Sequence, residues 1–471
     1  MADDLCMMSA TDLVAGFQSG ALSPVEATEA ALARIDQVNG TYNAFVVVDG
    51  DRALADARAA EERWRKGEPA GLVDGVPTTV KDLLFVAGWP TRRGSLTSDP
   101  GPSAEDSAGV ARLREHGAVF LGKTTTPEFG WKGVTDCALT GITRNPWNPE
   151  RTPGGSSGGA AAAAALGMGT LHLATDGGGS IRMPAGFCGL YGIKPTFGTV
   201  PVHPHSVMLT LWHSGPISRT VGDAALMLTV IAEPDLRDWY AAPGRALDYR
   251  RYVDGGVKGL KIAYSRDLGY ADVDPEVARL VEAGVQRFAD MGAIVEDVGA
   301  VFDDPFETTG LMWSVGLALG TDGMTEAQRA QVEPPVLALA DPARTLSALD
   351  YRRAEQRRET LGRHMQLFHR DYDLLITPQL PITAFPVGHE VPPGTGMTRW
   401  WEWSPFTYPF NLTQQPAATV PCGFASDGLP VAMQIVAAKF REDLVLRASG
   451  AYEQAHPFVM PTDDRTVAQD K

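Results

Sequence analysis

The first part of the chain carries a helical pattern of apolar and polar positions. Residues 23–26, Ser-Pro-Val-Glu, combine an N-cap, a proline at the first helical position and the glutamate of a capping box. They predict a helix that runs toward residue 37, and residues 53–66, rich in Ala, Glu and Arg, predict a second helix. We therefore expect residues 1–70 to form a helical N-terminal layer.

From Gly75 onward, short apolar runs alternate with helical patterns. Such alternation is typical of an α/β protein with a mixed, partly parallel central sheet that is covered by helices on both sides. The predicted strands are 76–80, 118–121, 170–175, 259–264, 293–295, 372–378 and 429–435, and the predicted helices are 106–116, 160–166 and 274–289. The helix at 160–166 is almost entirely alanine, so it should pack very closely against its neighbours.

No internal repeat or linker divides the sequence, so we expect a single large domain over residues 1–471. Two stretches, roughly 301–344 and 385–405, have no clear periodicity. We interpret them as cap or substrate loops, because binding loops are commonly carried on a rigid scaffold.

Charge and composition exclude several classes of partner. The formal net charge of −16 and the pI near 5.0 disfavour nucleic acids and anionic membranes, because the summed field repels both. The start of the chain lacks the features of a secretory signal, and the most apolar run, 159–174, is too short and weakly hydrophobic to span a bilayer. We expect a cytoplasmic protein, as a monomer or a homodimer, with no nucleic-acid or membrane partner.

The four cysteines lie far apart and are expected to be reduced: Cys6, Cys137, Cys188 and Cys422.

Two glycine-rich segments carry the strongest chemical signal. Residues 154–159 are Gly-Gly-Ser-Ser-Gly-Gly, and residues 176–182 are Asp-Gly-Gly-Gly-Ser-Ile-Arg. Glycine at this density indicates close approach of the backbone to another group, or dihedral angles that a Cβ atom disfavours. A serine held in such a loop is presented to a ligand, which favours nucleophilic catalysis.

Two familiar motifs match the sequence but not its context. Residues 117–124 satisfy the P-loop pattern, yet the four residues between the glycines, Ala-Val-Phe-Leu, favour a buried strand over a phosphate-binding loop. Residues 154–158 satisfy the Gly-x-Ser-x-Gly pattern of α/β hydrolases, but a proline-rich loop precedes them where that motif requires a strand.

The histidines give no sign of a metal site or a catalytic partner. His203, His205 and His213 are close in sequence, but their spacing is not that of helical metal ligands. We expect no metal and no cofactor.

Taken together, the motifs resemble those of the amidase signature family. The similarity rests on residues 80–82 (Val-Lys-Asp), 154–159, and 176–182 followed by Pro184, and it extends to 121–129, 192–196, 215–223 and 428–434. The resemblance implies the amidase signature fold and a serine hydrolase that cleaves linear amide C–N bonds. It also implies Ser180 as nucleophile, Ser156 as a bridging serine after a cis peptide bond from Gly155, and Lys81 as the terminal base.

The chemistry of the motif residues also favours a lysine base. A serine hydroxyl attacks a carbonyl group only if a neighbouring group takes its proton, and the motifs contain no suitable histidine. A neutral lysine can take that proton, but its reference pKa is about 10.4, so burial must lower the pKa toward neutrality. Lys81 should therefore be buried.

The remaining motif residues are expected to support this chemistry. The oxyanion of the reaction would be bound by backbone N–H groups of Gly177, Gly178, Gly179 and Ser180. We expect Asp176 and Arg182 to hold this loop as a buried pair, and Ser157 to orient Ser156 or Lys81.

Large apolar residues near these loops favour a hydrophobic substrate. Tryptophans in loops form either a substrate wall or a packed core, and we expect the wall or lid role for at least one member of this set. The candidate pocket residues are Trp131, Trp313, Trp400, Trp401 and Phe406. We expect an aryl or alkyl amide as the small-molecule substrate, while carbamates and esters remain open because the same acyl-enzyme chemistry accepts them.

Two other functions stay open on the sequence. One is the glutamine-hydrolysing component of a tRNA-dependent amidotransferase, which shares the motifs but needs polar recognition of the amino acid and partner subunits. The other is a catalytically silent binding protein of the same fold.

Overall fold

A computed structural model describes residues 2–242 and 247–461 of the chain. Its strands are β1 (Phe45–Val48), β2 (Pro77–Lys81), β3 (Val119–Thr124), β4 (Asp136–Cys137), β5 (Gly141–Ile142), β6 (Leu171–Asp176), β7 (Tyr191–Lys194), β8 (His213–Ser218), β9 (Lys261–Tyr264), β10 (Ile294–Asp297), β11 (Leu374–Pro378), β12 (Ala417–Phe424) and β13 (Pro430–Ala437). Its helices are α1 (Ala2–Met7), α2 (Ala10–Ser19), α3 (Pro24–Tyr42), α4 (Gly50–Lys66), α5 (Ala108–Glu115), α6 (Gly158–Ala165), α7 (Arg182–Cys188), α8 (Val221–Ile231), α9 (Pro275–Asp290), α10 (Phe306–Gly320), α11 (Glu326–Arg329), α12 (Pro334–Ala343), α13 (Ala348–Phe368), α14 (Pro409–Leu412) and α15 (Glu442–Ala455).

One large mixed sheet forms the centre of the domain. Its strand order is β1-β3-β2-β6-β8-β7-β12-β13-β11-β9-β10, while β4 and β5 form a separate small hairpin. Strand β2 is parallel to both β3 and β6, whereas β6, β8 and β7 pair in antiparallel fashion. All residues of β2, β3, β6 and β8 are buried, which requires cover on both faces of the sheet. The predicted fold class is confirmed.

The predicted strands and helices are all present, with ends shifted by a few residues. Helix α3 runs to Tyr42, further than the sequence predicted, and its capping box at Ser23 is formed as expected. Residues 117–124 contain the buried strand β3, so the strand interpretation of the P-loop match is confirmed.

Several strands carried no clear signal in the sequence, for a physical reason. Strands β7 and β8, Tyr-Gly-Ile-Lys and His-Ser-Gly-Pro-Ile-Ser, contain glycine or proline, which are depleted in strands. In β12 the pairing register shifts just after Pro421, as expected for a proline at a bulge. The N-terminal layer is also not wholly helical, because β1 pairs with β3 at the edge of the sheet.

Residues 301–344 are largely helical and contain α10, α11 and α12. Helix α10 lacks an amphipathic signal because its sequence, Phe-Glu-Thr-Thr-Gly-Leu-Met-Trp-Ser-Val-Gly-Leu-Ala-Leu-Gly, is apolar on most sides. Residues 385–405 include a short 3₁₀ helix at Trp400–Trp403. A cap role for either stretch stays a prediction.

Within the described part of the chain, every helix is too short or too polar to cross a bilayer.

Helix α6 packs against the sheet with almost no side-chain layer between them. Its six alanines are at most 1% exposed. A Cβ atom built on Gly159 would lie 2.5 Å from the Thr125 nitrogen and 2.6 Å from the Ala44 oxygen, closer than atoms can approach without a shift of the backbone. The close packing predicted for this helix is therefore present, and it depends on glycine.

We predict that Gly159→Ala lowers the free energy of unfolding by about 1–3 kcal/mol, because the added methyl group overpacks rigid backbone. Gly362→Ala is the matched control. Gly362 lies inside α13, and no atom lies within 4 Å of a Cβ atom built on it. This substitution should raise the free energy of unfolding by about 0.5–1 kcal/mol, because alanine favours a helix more than glycine does. Urea denaturation of both variants checks this. Equal effects of the two substitutions would contradict the packing argument.

Candidate active site

The site lies where two neighbouring parallel strands end. Lys81 is the last residue of β2, and Asp176 is the last residue of β6. The register of the two strands pairs Val80 with Leu173, so their carboxyl ends lie at the same edge of the sheet. Ligands of open α/β sheets bind at such an edge.

The Lys81 amine is completely buried among hydroxyl groups. Its Nζ atom lies within hydrogen-bonding distance of Ser156 Oγ at 2.7 Å, Ser157 Oγ at 2.8 Å and Thr175 Oγ1 at 3.0 Å. Ser157 Oγ in turn donates to the carbonyl oxygen of Thr175 at 3.2 Å. Two predicted site residues, Lys81 and Ser156, are thus in direct contact, with Ser157 beside them. Thr175 was not expected in this cluster.

The neighbouring lysine shows how unusual this environment is. Lys123, in the adjacent strand β3, is also buried, but its Nζ atom lies 2.8 Å from a carboxylate oxygen of Asp82. Within the described ranges, Lys81 forms no ion pair with any acid. Burial lowers the pKa of Lys81 well below its usual value, and the charge of Asp176 opposes this shift only in part. Burial therefore shifts Lys81 toward its uncharged form.

Glycines bring Ser156 into this cluster. The peptide bond between Gly155 and Ser156 is cis. A Cβ atom on Gly155 would lie 2.5 Å from the Val134 oxygen, and a Cβ atom on Gly130 would lie 3.2 Å from Ser156 Oγ. The backbone therefore encloses Ser156 on two sides, and Ser157 follows as the N-cap position of α6.

Asp176 and Arg182 form a buried, bidentate ion pair that holds the glycine loop. Arg182 Nε and Nη2 each lie 3.0 Å from an oxygen of Asp176, and both side chains are fully buried. The same carboxylate accepts hydrogen bonds from the backbone N–H groups of Gly179 and Ile181 at 2.7 and 3.2 Å. Burial alone would raise the pKa of Asp176, but the Arg182 guanidinium beside it holds that pKa well below the usual range.

Three residues distant in sequence complete this network. Arg182 donates to the Thr407 carbonyl oxygen at 2.9 Å, to Gln434 Oε1 at 2.8 Å and to Asn411 Oδ1 at 2.6 Å. Thr407 Oγ1 also donates to the carbonyl oxygen of Gly178 at 2.7 Å. Gln434 lies in a stretch that carried the family resemblance, but nothing in the sequence distinguished Asn411 and Thr407.

The loop offers fewer free backbone donors than the sequence suggested. The N–H group of Gly179 already donates to Asp176, so it is not free to bind an oxyanion. In the described structure, the N–H groups of Gly177, Gly178 and Ser180 donate to no protein acceptor. These three are the donors that remain for a ligand.

Ser180 lies between this loop and α7, four residues after the end of β6. It is 4% exposed. No hydrogen bond joins its hydroxyl to Ser156, Lys81 or any other side chain that the structure describes. The structure thus brings Lys81, Ser156 and Ser157 into hydrogen-bonding contact, but not Ser180.

Two of the predicted pocket residues, Trp313 and Trp400, pack against the glycine loop. A Cβ atom on Gly177 would lie 3.2 Å from the Trp313 ring, and one on Gly178 would lie 2.7 Å from the Trp400 ring. Trp313 Nε1 donates to the carbonyl oxygen of Trp131 at 3.1 Å. All five predicted residues are buried, Trp401 against Trp400 and Phe406 in the core cluster of the central sheet. Their role as a substrate wall stays a prediction.

A cavity of about 350 Å³ lies beside the cluster, and its lining includes neither those five residues nor Lys81, Ser156 and Ser180. Its walls include Leu83, two residues after Lys81, and Phe129, next to Gly130. A Cβ atom on Gly130 would lie 2.7 Å from Leu83 Cδ1 and 3.2 Å from Ser156 Oγ, so Gly130 lies against both the cavity wall and the serine. Much of the lining is apolar, including Leu173, Met208 and Leu317.

The three histidines do not form a metal site. His213 is buried, with its Nδ1 atom 2.9 Å from the Leu211 carbonyl oxygen, and burial lowers its pKa well below the usual value. His203 and His205 lie on the cavity wall. Over residues 2–242 and 247–461, no three His, Cys, Asp or Glu side chains are grouped as metal ligands would be.

Comparison with known proteins agrees with this architecture. The model of the Amidase family matches residues 26–446. An acylamidase of Rhodococcus erythropolis is 38% identical over 99% of both chains, and a glutamyl-tRNA(Gln) amidotransferase chain of Chloroflexus aurantiacus is 35% identical over 96% of this chain and 97% of that protein. The crystal structure of a bacterial aryl acylamidase of the amidase signature family superimposes with a TM-score of 0.89 at 31% identity, covering 96% of each chain.

The match covers most of the chain in sequence and in fold, and it includes the strands and loops that carry Lys81, Ser156 and Ser180. The chain belongs to the amidase signature family of hydrolases, which act on amides.

Proposed function

We propose that this enzyme hydrolyses amides with an apolar aryl or alkyl group, with Ser180 as nucleophile, Ser156 as proton relay and Lys81 as base. The observation that carries the proposal is the fully buried Lys81 amine, which contacts Ser156 and has no carboxylate partner among the described residues. A lysine in this setting is held neutral, and a neutral amine accepts a proton.

The reaction proceeds through an acyl-enzyme. The Lys81 amine takes the proton of Ser156 while Ser156 takes that of Ser180, and Ser180 Oγ attacks the amide carbon. The C–N bond then breaks, the relay returns the proton to the leaving nitrogen, and the free amine departs. Water attacks the acyl-enzyme by the same route and releases the carboxylic acid, so one amide and one water give one acid and one amine. Contact between Ser156 and Ser180 would form in the substrate complex, because catalytic hydrogen bonds often tighten only there.

The N–H groups of Gly177, Gly178 and Ser180 are the proposed oxyanion donors. They are unused by the protein, and the Asp176–Arg182 pair fixes the loop that carries them. Donors held in place before the reaction stabilise the developing charge without reorganising, and loss of one typically costs about a hundred- to a thousandfold in rate. Trp313 and Trp400 pack against Gly177 and Gly178 and would limit the space open to water there.

The cavity beside Ser156 supports an apolar substrate, since Leu83, Phe129, Leu173, Met208 and Leu317 line it. The similarity to an acylamidase and to an aryl acylamidase supports the same class. Carbamates and esters of similar shape are further candidate substrates for the same acyl chemistry.

A second candidate, glutamine hydrolysis within an amidotransferase, has support from the 35% identity to a glutamyl-tRNA(Gln) amidotransferase chain. Free glutamine carries an ammonium group, and a site for it needs an acidic partner. The cavity lining contains no Asp or Glu, which favours the acylamidase function.

We predict that Ser180→Ala and Lys81→Met each lower kcat/KM for an acyl anilide by about a thousandfold or more, because they act in one catalytic unit. Lys66→Met, on an exposed lysine of α4, is the control and should retain full activity. A fluorophosphonate probe should label Ser180 in the wild type, as read by peptide mass spectrometry. Labelling of another serine, or full activity of Ser180→Ala, would refute the assignment.

The pH dependence should report Lys81. Its pKa in the folded protein is lowered, so kcat/KM should rise with pH through that pKa and level off well below 10.5, the usual lysine value. Between this lowered pKa and the usual value of 10.5, Lys81 is protonated in the unfolded state but not in the folded state. The unfolded state therefore binds more protons in this range, and the free energy of unfolding rises as the pH rises toward 10.5. The stability of Lys81→Met relative to wild type should therefore decrease from pH 7 to pH 10, as measured by chemical denaturation. A difference that is independent of pH would argue for a charged Lys81.

Substrate class separates the two candidate functions. The purified chain alone should hydrolyse hexanoyl anilide with a kcat/KM at least about tenfold above that for glutamine, because the cavity has apolar walls and no acid for the ammonium group. Release of aniline and of ammonia measures the two activities. A preference for glutamine would favour the amidotransferase role, and absence of both activities together with an unlabelled Ser180 would favour a binding protein.

A further inference from the structure

The charge of the cavity differs in sign from that of the whole chain. The protein has a formal net charge of −16, with 57 acidic residues in its sequence. None of these acids lines the cavity beside Ser156, whereas Arg93, His203 and His205 do. The lining is therefore suited to an anion.

Arg93 is attracted by the charge of Asp82, but its guanidinium has no acid within ion-pairing distance among the described residues. Its guanidinium stacks on the Phe85 ring, 5.2 Å from the ring centroid, and forms no hydrogen bond or ion pair with a described residue. The nearby Asp82 is already paired with Lys123 at 2.8 Å. The Arg93 side chain is exposed, so its five N–H donors are free for a ligand.

The two histidines are different, because acids lie beside them. His203 Nε2 is 3.3 Å from Glu105 Oε1, and His205 Nε2 is 3.6 Å from Asp238 Oδ1. Any positive charge on these rings is offset locally. Arg93 thus dominates the attraction for an anion.

The backbone of Arg93 fixes this side chain with respect to the catalytic cluster. Its N–H group donates to the carbonyl oxygen of Asp82 at 3.1 Å, and its carbonyl oxygen accepts from the Phe129 N–H group at 2.7 Å. Asp82 follows Lys81, and Phe129 precedes Gly130, which lies against Ser156. Arg93 also has φ of 52°, in the left-handed region that disfavours residues other than glycine. An arginine held there is consistent with a functional side chain.

Building on the proposed function, we propose that Arg93 binds a carboxylate of the substrate, so that the preferred amides combine an apolar group with one carboxylate. Arginine suits this role because its planar fork can donate two parallel hydrogen bonds to a carboxylate. The apolar walls would hold the rest of the molecule, with the scissile amide at Ser180. Acylated aminobenzoates and N-acyl amino acids belong to this class, whereas free glutamine, with its ammonium group, does not.

The test compares matched pairs of amides that differ only in the carboxylate. The first two pairs are 3-(hexanoylamino)benzoate with N-(3-methylphenyl)hexanamide, and 4-(hexanoylamino)benzoate with N-(4-methylphenyl)hexanamide. The third pair is N-hexanoylglycine with N-ethylhexanamide. In the wild type, at least one anionic member should exceed its neutral partner in kcat/KM. Arg93→Met should lower kcat/KM for that anionic amide about 10- to 100-fold, as for the loss of hydrogen bonds between charged groups, and leave the neutral partner within about twofold.

Two further variants separate the geometry of the Arg93 side chain from its charge and from the net charge of the protein. Arg93→Lys keeps the charge but not the fork and should lie between wild type and Arg93→Met. Arg58→Met removes a positive charge from the exposed face of α4 and should change neither member of a pair. An equal fall for both members in Arg93→Met would reveal a structural role and overturn the inference.

Failure of this inference is distinguishable from failure of the proposed function. Hydrolysis of neutral and anionic amides at equal rates, unaffected by Arg93→Met, would overturn the inference and leave the proposed function standing. Hydrolysis of none of the six amides, with Ser180 unlabelled by the fluorophosphonate, would overturn both.

Discussion

The site depends on one buried ion pair, that of Asp176 and Arg182. Both side chains have no exposed surface, so water compensates neither charge, and such a pair is tolerated only if the remaining donors and acceptors are also satisfied. Here they are: the carboxylate holds the backbone of the glycine loop, and the guanidinium reaches Gln434 and Asn411 on other elements. The pair therefore ties the loop to β13 and α14, and it determines which backbone N–H groups stay free. Removing either partner would leave a buried, unpaired charge.

The two lysines on adjacent strands lie in contrasting electrostatic surroundings. Lys123 lies beside a carboxylate, and Lys81 lies beside three hydroxyl groups. A hydroxyl can accept a hydrogen bond from the amine and also donate one, so the cluster is compatible with a neutral Lys81 and with proton movement. The choice of Ser156, Ser157 and Thr175 as neighbours, in place of a single acid, is what makes Lys81 suitable as a base.

Much of the fold and of the hydrogen-bonded cluster around Lys81 could be predicted from the sequence. Alternating apolar runs revealed β2, β3 and β6, and the motifs indicated Lys81, Ser156 and Ser157. The sequence could not reveal β7 and β8, whose glycines and proline form a strand only because neighbouring strands pair with them. It also could not show that Asp176 occupies the N–H group of Gly179, or that Asn411 supports Arg182, because both depend on contacts across the fold. The sequence likewise could not show that Trp313 and Trp400 pack against Gly177 and Gly178, because this contact also depends on the fold.

The contrast between an acidic exterior and an acid-free cavity affects how an anionic molecule would reach the site. At long range the negative field of the protein repels a carboxylate, whereas inside the cavity Arg93 attracts it. Dissolved ions screen charges over about 8–10 Å at physiological ionic strength, so they would weaken the long-range repulsion more than a direct contact with Arg93. Moderate salt would then speed the encounter while changing the residence time little, the reverse of the behaviour of an enzyme that steers its ligand by surface charge.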